Sequence, residues 1–374
     1  MKKDRRSFIK NSAVGLLGSS LVLPDQIYGK DKILLPKEKV NAPLTPLEVS
    51  KDRIIRNDVG LRPYRAEGFV LKKEIEQGKT IIHDYGHGGG GISLSWGTAQ
   101  KAVDLVEAPK NTTVAVIGCG VIGLSTAILL QKHGYQVIIY TKEMPPQTTS
   151  NVAGGFYAAA QAYDSNKITQ SFLTQFNESS QISHRIFQDL VGERYGVSWI
   201  KNYFLDGDFA FWGGKNLFPG LKIHTDQKLF DFPKVQEVYS LVIQTPKYLQ
   251  ALLDDFHLAG GTIRIQDFQS KEALFQLDEN VIMNCTGLGS RQLFNDQKLI
   301  PSKGQLHVLL PQKEINYSYV YNGGKDTFYM FPREDGIILG GTAQDGVWSL
   351  EPDEKEMNRI FKQHQMIADY LKRS

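Results

Sequence analysis

Two cysteines in 374 residues are too few for a disulfide-stapled fold, and neither belongs to a C-x-x-C pair, so a cysteine-built metal or redox centre is excluded. Histidine is no better placed. His83 and His87 stand close together in HDYGHGGGG, but the glycines after them point to a loop rather than a ligand-bearing helix, and no metal is expected. Charge of one sign is scarce: 43 Lys and Arg against 40 Asp and Glu leave a net +3, well interspersed, which gives no footprint for a nucleic-acid partner. Long apolar runs are missing too, because the uncharged stretch 11–24 is too short and glycine-rich for a confident membrane span. A hydrophobic share of 41% excludes a disordered chain, and the length suffices for two domains with cores of their own.

What is present is organised around TVAVIGCGVIGLSTAILLQKHGYQVIIYTKE, residues 113–143. Val114 to Ile117 read as a buried parallel strand, apolar on both faces and stopped by glycine. Gly118, Gly120 and Gly123 follow at G-x-G-x-x-G spacing: one for a tight turn, one for close backbone approach to a pyrophosphate, one for helix–strand packing. The helix N-terminus behind them, with Val121 and Ile122, suits the phosphates. Leu124, Ile128 and Leu129 form its apolar stripe, Gly134 closes it, and a second strand ends at Thr141 and Lys142. This βαβ unit takes a dinucleotide. An acidic side chain usually ends the second strand to hold ribose hydroxyls, and here Glu143 comes only later.

At the start, Arg5 and Arg6 in DRRSFIK precede the uncharged run and read as a twin-arginine export signal, with a periplasmic or other extracytoplasmic location and, as an alternative, a membrane tether through the N-terminus. Cys119 and Cys285, at apparent strand ends, are expected to be free structural thiols. Arg62 and Arg65 lie in GLRPYR, where a solvent-facing role is the plain alternative. Four successive glycines, 88–91, then separate a strand from a helix beginning near Ser93, a place for something flat or anionic to approach the backbone. Later stretches read as the helix 248–259, the strand TIRI, the strand ENVIMNC, an antiparallel sheet built from 305–310, 317–321, 328–331 and 336–339, and a charged C-terminal helix, 353–370.

Several blocks together resemble the D-amino-acid oxidase family of flavoproteins: VAVIGCGVIGLSTAILL, TTSNVAGGFY, VIMNCTGLGSRQLFNDQKLIPSKGQ, YMFP, GIILGGTAQDGVWS, GLRPYR and HDYGHGGGGISLSWG. In the family the last two blocks come at the end, whereas here they come first, so the chain looks like a circular permutant, with 108–112 as the new link. The resemblance implies an α/β (α+β overall) fold: a Rossmann-like FAD-binding domain and an antiparallel-sheet substrate domain. On that reading 1–29 is signal, 30–47 linker, 60–160 and 248–298 the FAD-binding domain, and 161–247 and 299–374 the substrate domain, with 48–59 packed on it.

The resemblance also implies FAD as cofactor and oxidation of a D-amino acid, with oxygen or another electron acceptor as partner. Arg62 would hold the substrate carboxylate, Tyr329 would supply a hydroxyl partner, and the Gly89 carbonyl would accept the amine. Gly88, Gly91, Ile92 and Ser93 would line the flavin ring; Thr148, Thr149, Ser150, Val152 and Gly155 would follow the cofactor, as would Phe268, Cys285, Thr286 and Gly287. Lys325 stands where vertebrate members have a second tyrosine, and Tyr319 or Tyr321 are the candidates to replace it. Two other readings remain open: a dehydrogenase passing electrons to a quinone or carrier, and a catalytically silent flavin-bearing binding protein.

Overall fold

The computed structural model describes residues 44–206, 209, 213–226, 229–323 and 326–373. The twin-arginine segment, most of the 30–47 linker and Lys325 lie outside them. Strands β1 (Ile54–Arg65), β2 (Val70–Glu76) and β3 (Lys79–Tyr85) come first, then helix α1 (Gly91–Val103). The expected βαβ unit follows as β4 (Thr113–Ile117), α2 (Val121–Lys132) and β5 (Gln136–Thr141). Gly134, at φ 84°, ends α2 in the left-handed conformation that glycine adopts without strain. Helix α3 (Gln170–Asp189) is capped by the Thr169 hydroxyl, which accepts from Phe172 N. Then come β6 (Val197–Leu205), β7 (Lys222–His224), β8 (Val235–Ile243), α4 (Thr245–Leu258), β9 (Thr262–Ile265), α5 (Lys271–Leu274), β10 (Val281–Asn284) and α6 (Ser290–Leu293). The chain closes with β11 (Leu299–Leu309), β12 (Tyr317–Tyr321), β13 (Phe328–Arg333), β14 (Gly336–Gly340), β15 (Gln344–Asp345) and α7 (Glu354–Arg373).

One sheet has six strands in the order β2-β3-β10-β4-β5-β9, parallel throughout except for β2. Its central strands are apolar on both faces because both faces are covered. Val114, Val116 and Met283 pack towards Leu124 and Tyr248 of α2 and α4, while Ala115, Ile117 and Ile282 meet Leu274 and Leu293 of α5 and α6.

The other sheet has nine strands, in the order β1-β11-β14-β13-β12-β6-β8-β7 with β15 paired on β11. It is antiparallel, as expected, except between β12 and β6. Those two strands are far apart in the chain, so no hairpin dictates their direction. Beneath this sheet α7 buries Met357, Ile360, Phe361, Ile367 and Leu371, a helical stripe. Leu44 and Leu47 join the same cluster, Leu47 with no exposure, and Tyr317 Oη donates to the Thr45 carbonyl at 2.8 Å. The end of the 30–47 linker is therefore part of the folded body: apolar side chains in that proline-rich stretch cover sheet and helix that would otherwise face water.

Candidate functional site

Four loops at the carboxyl ends of β3, β10, β4 and β5 open towards the nine-stranded sheet, the position where parallel α/β sheets bind ligands. Between the two sheets lies a cavity of about 1270 Å³. Its lining brings together Gly88, Gly89, Gly91 and Ile92, Gly118 to Ile122, Thr141 and Lys142, Thr148 to Ser150, Val152, Gly155, Phe268, Cys285 to Gly287, Arg62 and Tyr329. Two expected lining residues are not in it. Ser93 is buried inside α1, and Gly123 sits behind the turn, where an added methyl would strike the Gly118 carbonyl. Gly123 thus packs helix against strand, whereas Gly118 makes the turn at φ 109°. Gly120 is the open position: a methyl there would meet only Ser150 Oγ, at 3.2 Å.

The second glycine run is shaped differently from its expectation. Methyl groups at Gly88 and Gly89 would run into the carbonyl oxygens of Gln161 and Ala160, and one at Gly90 would lie 3.2 Å from Ala159 Cα. Gly89 N also donates to Gln161 O at 3.1 Å. Three of the four glycines are therefore needed because a neighbouring stretch of this chain lies against them, and only Gly91 faces free space, with His87 Cβ at 3.9 Å. His87 anchors the loop from below: its Nε2 is 3.1 Å from Thr98 Oγ1 and 3.1 Å from Asp84 Oδ1, all buried. No feature of the sequence singled out the 159–161 contact, because it joins two loops with no shared pattern.

The two arginines of GLRPYR part company. Arg65 Nε pairs with Asp296 at 2.8 Å, and Tyr85 Oη donates to the same carboxylate at 3.0 Å. Burial alone would raise Asp296, but these partners outweigh it and hold the carboxyl below its ordinary range. Arg65 ties β1 to the loop between α6 and β11, and through the shared Asp296 carboxylate to Tyr85 of β3. Arg62 points to the cavity, its Nη1 donating to the Thr342 carbonyl at 3.0 Å, and among the described residues no carboxylate pairs with it. An aqueous-facing cation with its fork partly unused is a receptor for a bidentate anion.

Tyr329 projects from β13 on the same sheet face. Its ring stacks on Phe331 at 4.8 Å, and Phe331 stacks on Phe156 at 4.9 Å. Leu306 and Val320 continue this apolar wall. Phe331 was legible in YMFP, two residues from Tyr329 and so on the same face. The same alternation removes the proposed substitutes for a second tyrosine. Val320 faces the cavity, so Tyr319 and Tyr321 face away: Tyr319 Oη bonds His364 Nδ1 at 2.7 Å in the core, and Tyr321 stacks on Phe328.

Both thiols are free and buried. Burial pushes Cys119 up to about 12 and Cys285 well above its ordinary value, so neither acts as a nucleophile despite bordering the cavity. At the end of β5 the Thr141 hydroxyl donates to the Glu143 carbonyl at 2.6 Å, folding the chain so that Lys142 and Glu143 both border the cavity.

A family model described as FAD dependent oxidoreductase (DAO) matches residues 113–368. The human D-aspartate oxidase is 32% identical over 260 residues, covering 66% of this chain and 73% of that one. The D-amino-acid oxidase of Rubrobacter xylanophilus is 30% identical over 266 residues, 69% of this chain and 77% of its own. Among solved structures, glycine oxidase from Geobacillus kaustophilus superposes with a TM-score of 0.53 at 14% identity, over 70% of this chain and 79% of that one, a likeness of fold. The residues present fit a flavin dinucleotide: Gly120 and Gly91 leave backbone bare on the cavity, the N-termini of α2 and α1 both open onto it, and the cavity runs on past them to Arg62.

Proposed function

Because the chain belongs to the FAD dependent oxidoreductase (DAO) family, we propose that this FAD-dependent enzyme, an oxidoreductase acting on the CH–NH2 group of amino acids, takes D-amino acids and uses oxygen as its electron acceptor. The observation that carries the reading is a single cavity whose lining holds the bare glycine turn that opens α2, the 88–91 glycine loop, and Arg62, without a carboxylate partner among the described residues, beside an apolar wall. Arg62 binds the substrate carboxylate through two parallel N–H donors, and the Tyr329 hydroxyl, which has no hydrogen-bond partner among the described residues, donates to it. The Gly89 carbonyl accepts from the amine; the bond from Gly89 N to Gln161 O holds that part of the backbone in place. Phe156, Phe331, Leu306 and Val320 exclude water and favour an uncharged side chain. When bound, FAD supplies acceptance of a hydride from the α-carbon. Balanced overall, the amino acid, oxygen and water give a 2-oxo acid, ammonia and hydrogen peroxide.

The deciding assay is peroxide yield per amino acid consumed, with D- and L-amino acids run side by side. One peroxide per D-amino acid is expected. Consumption without peroxide, restored by an artificial acceptor, would replace the oxidase reading with a dehydrogenase; no bleaching of the flavin by any amino acid would leave only a binding protein.

Circular permutation is part of this reading. The family match begins at Thr113, the first residue of β4, yet before it β1 forms one edge of the nine-stranded sheet and β3 lies inside the six-stranded one. Leu44 and Leu47 share a core cluster with Ile367 and Leu371 of α7, so the two ends of the described body pack into the same core. A short link joins α1 to β4, as the opened ends of a compact fold require. Joining 373 to 44 through a short flexible linker and reopening the chain within 108–112 should give a yellow protein with unchanged substrate preference. Loss of soluble, flavin-bearing protein from every such opening would count against the permutation.

The DRRSFIK segment supports export by the twin-arginine route to an extracytoplasmic location. Changing both Arg5 and Arg6 to Lys should leave the protein in the cytoplasm, and undiminished export of that variant would remove the proposal. Among the described residues no helix is long and apolar enough to cross a membrane.

A further inference from the structure

Glycine in the middle of a buried strand is unfavourable, because it packs no side chain and loses the most backbone freedom on folding. Gly304 stands in the middle of β11 and Gly340 is the last residue of β14; both are buried, and neither has the positive φ that would call for glycine. Space is what they provide. A methyl on Gly304 would lie 2.5 Å from Arg62 Cζ and 2.5 Å from Nη1, and its three nearest atoms all belong to that guanidinium. A methyl on Gly340 would lie 2.6 Å from Tyr329 Oη, and its three nearest atoms all belong to the Tyr329 side chain.

The register shows how this arises. Tyr329 is the direct cross-strand partner of Gly340, and its ring folds down over that partner. Gly60 pairs with Gly304, so Arg62, two residues further along β1, reaches diagonally across to lie on Gly304. Leu306, the cross-strand partner of Gly340 and two residues from Gly304, stands between the two covered glycines on the cavity side. The carboxylate-binding guanidinium and its hydroxyl partner therefore lie flat on bare backbone at two points of one sheet face.

We infer that Gly304 and Gly340 are positioning residues, glycine seats that set the height of Arg62 and Tyr329 above the sheet and so place the carboxylate of the substrate. This rests on the reading of Arg62 and Tyr329 as the carboxylate site. The seats differ from ordinary glycine–aromatic pairing in a sheet, which stabilises the strand without any bearing on a ligand, and the experiment separates the two.

Gly304→Ala and Gly340→Ala are purified with FAD and compared with the parent for flavin content, KM, kcat and the dissociation constant of benzoate, a carboxylate without an amine. Gly304→Ala is expected to keep its flavin, to raise KM and the benzoate constant by about tenfold or more, and to change kcat far less. In the Arg62→Ala background the same substitution should have no further effect on either constant, since the group it displaces is gone. Should Gly304→Ala alone fail to fold, Arg62→Ala/Gly304→Ala is expected to fold and bind FAD, because the obstructing guanidinium has been removed. Gly340→Ala should shift benzoate binding in the parent and leave it unmoved in Tyr329→Ala.

Unchanged KM and benzoate binding in Gly304→Ala overturn the inference, as does an equal effect with and without Arg62. If Arg62→Ala itself leaves KM unchanged, the carboxylate reading fails first, and the two failures are distinguished by that one variant.

Discussion

Arg62→Ala yields a folded, yellow protein whose KM for D-amino acids rises steeply. Truncating one partner of a desolvated, hydrogen-bonded charge pair costs about 2 to 5 kcal/mol, which corresponds to roughly thirty-fold to several thousand-fold in kcat/KM. Flavin content should not move, because Arg62 donates to the Thr342 carbonyl and faces the cavity away from the glycine turn that opens α2. Arg62→Lys should fall between the two, keeping the charge but losing the planar fork. Steady-state kinetics on the three proteins, with flavin content from absorbance, is the measurement; an unchanged KM in Arg62→Ala takes the residue out of the site. Arg65→Ala is the control that sharpens the result. It breaks the ion pair that joins β1 to Asp296 in the loop between α6 and β11, a carboxylate shared with Tyr85 of β3, so it should lower stability rather than act on substrate binding alone.

Gly120→Val gives the second large effect, a colourless protein that still folds. In the βαβ turn the three glycines carry different burdens, and only at Gly120 does an added methyl meet no backbone, its sole near neighbour being Ser150 Oγ at 3.2 Å, which must shift slightly to admit it. A branched side chain there occupies the space over the N-terminus of α2 where a pyrophosphate would meet the backbone. Flavin retention after purification should be lost, while far-ultraviolet circular dichroism and solubility stay close to the parent. Gly123→Val behaves differently, because its side chain would be driven into the Gly118 carbonyl and the helix would leave the sheet. Yellow protein recovered from Gly120→Val would show that the turn does not hold the cofactor.

Much of the cofactor end was legible because it is local. Strand, turn and helix from Thr113 to Lys132 follow one another along the chain, and the spacing of Gly118, Gly120 and Gly123 carries its own geometric meaning. The substrate end was legible only in part. Arg62 and Arg65 have the same chemistry and nearly the same neighbours in sequence; the family resemblance singled out Arg62, and the position of Asp296 beside Arg65 gives the physical reason. Tyr319 and Tyr321 were plausible by composition and unsuitable by face, since Val320 holds the cavity side of β12.

The run of four glycines shows where pattern reading stops. Its composition announces close approach but not the approaching partner. For Gly88 to Gly90 that partner turned out to be the backbone of residues 159–161 of this same chain.

Periodicity and glycine spacing were enough to specify a dinucleotide-binding unit, because it depends on residues within one or two turns of chain, while the family and its arginine-bearing block came from the resemblance of several separate sequence blocks. Which arginine is free, which tyrosine faces inward and why Gly304 and Gly340 carry no side chain depend on strand register between segments more than two hundred residues apart for Arg62 and Gly304. Register is set by burying whole sheet faces, a property of the assembled molecule that no short stretch contains.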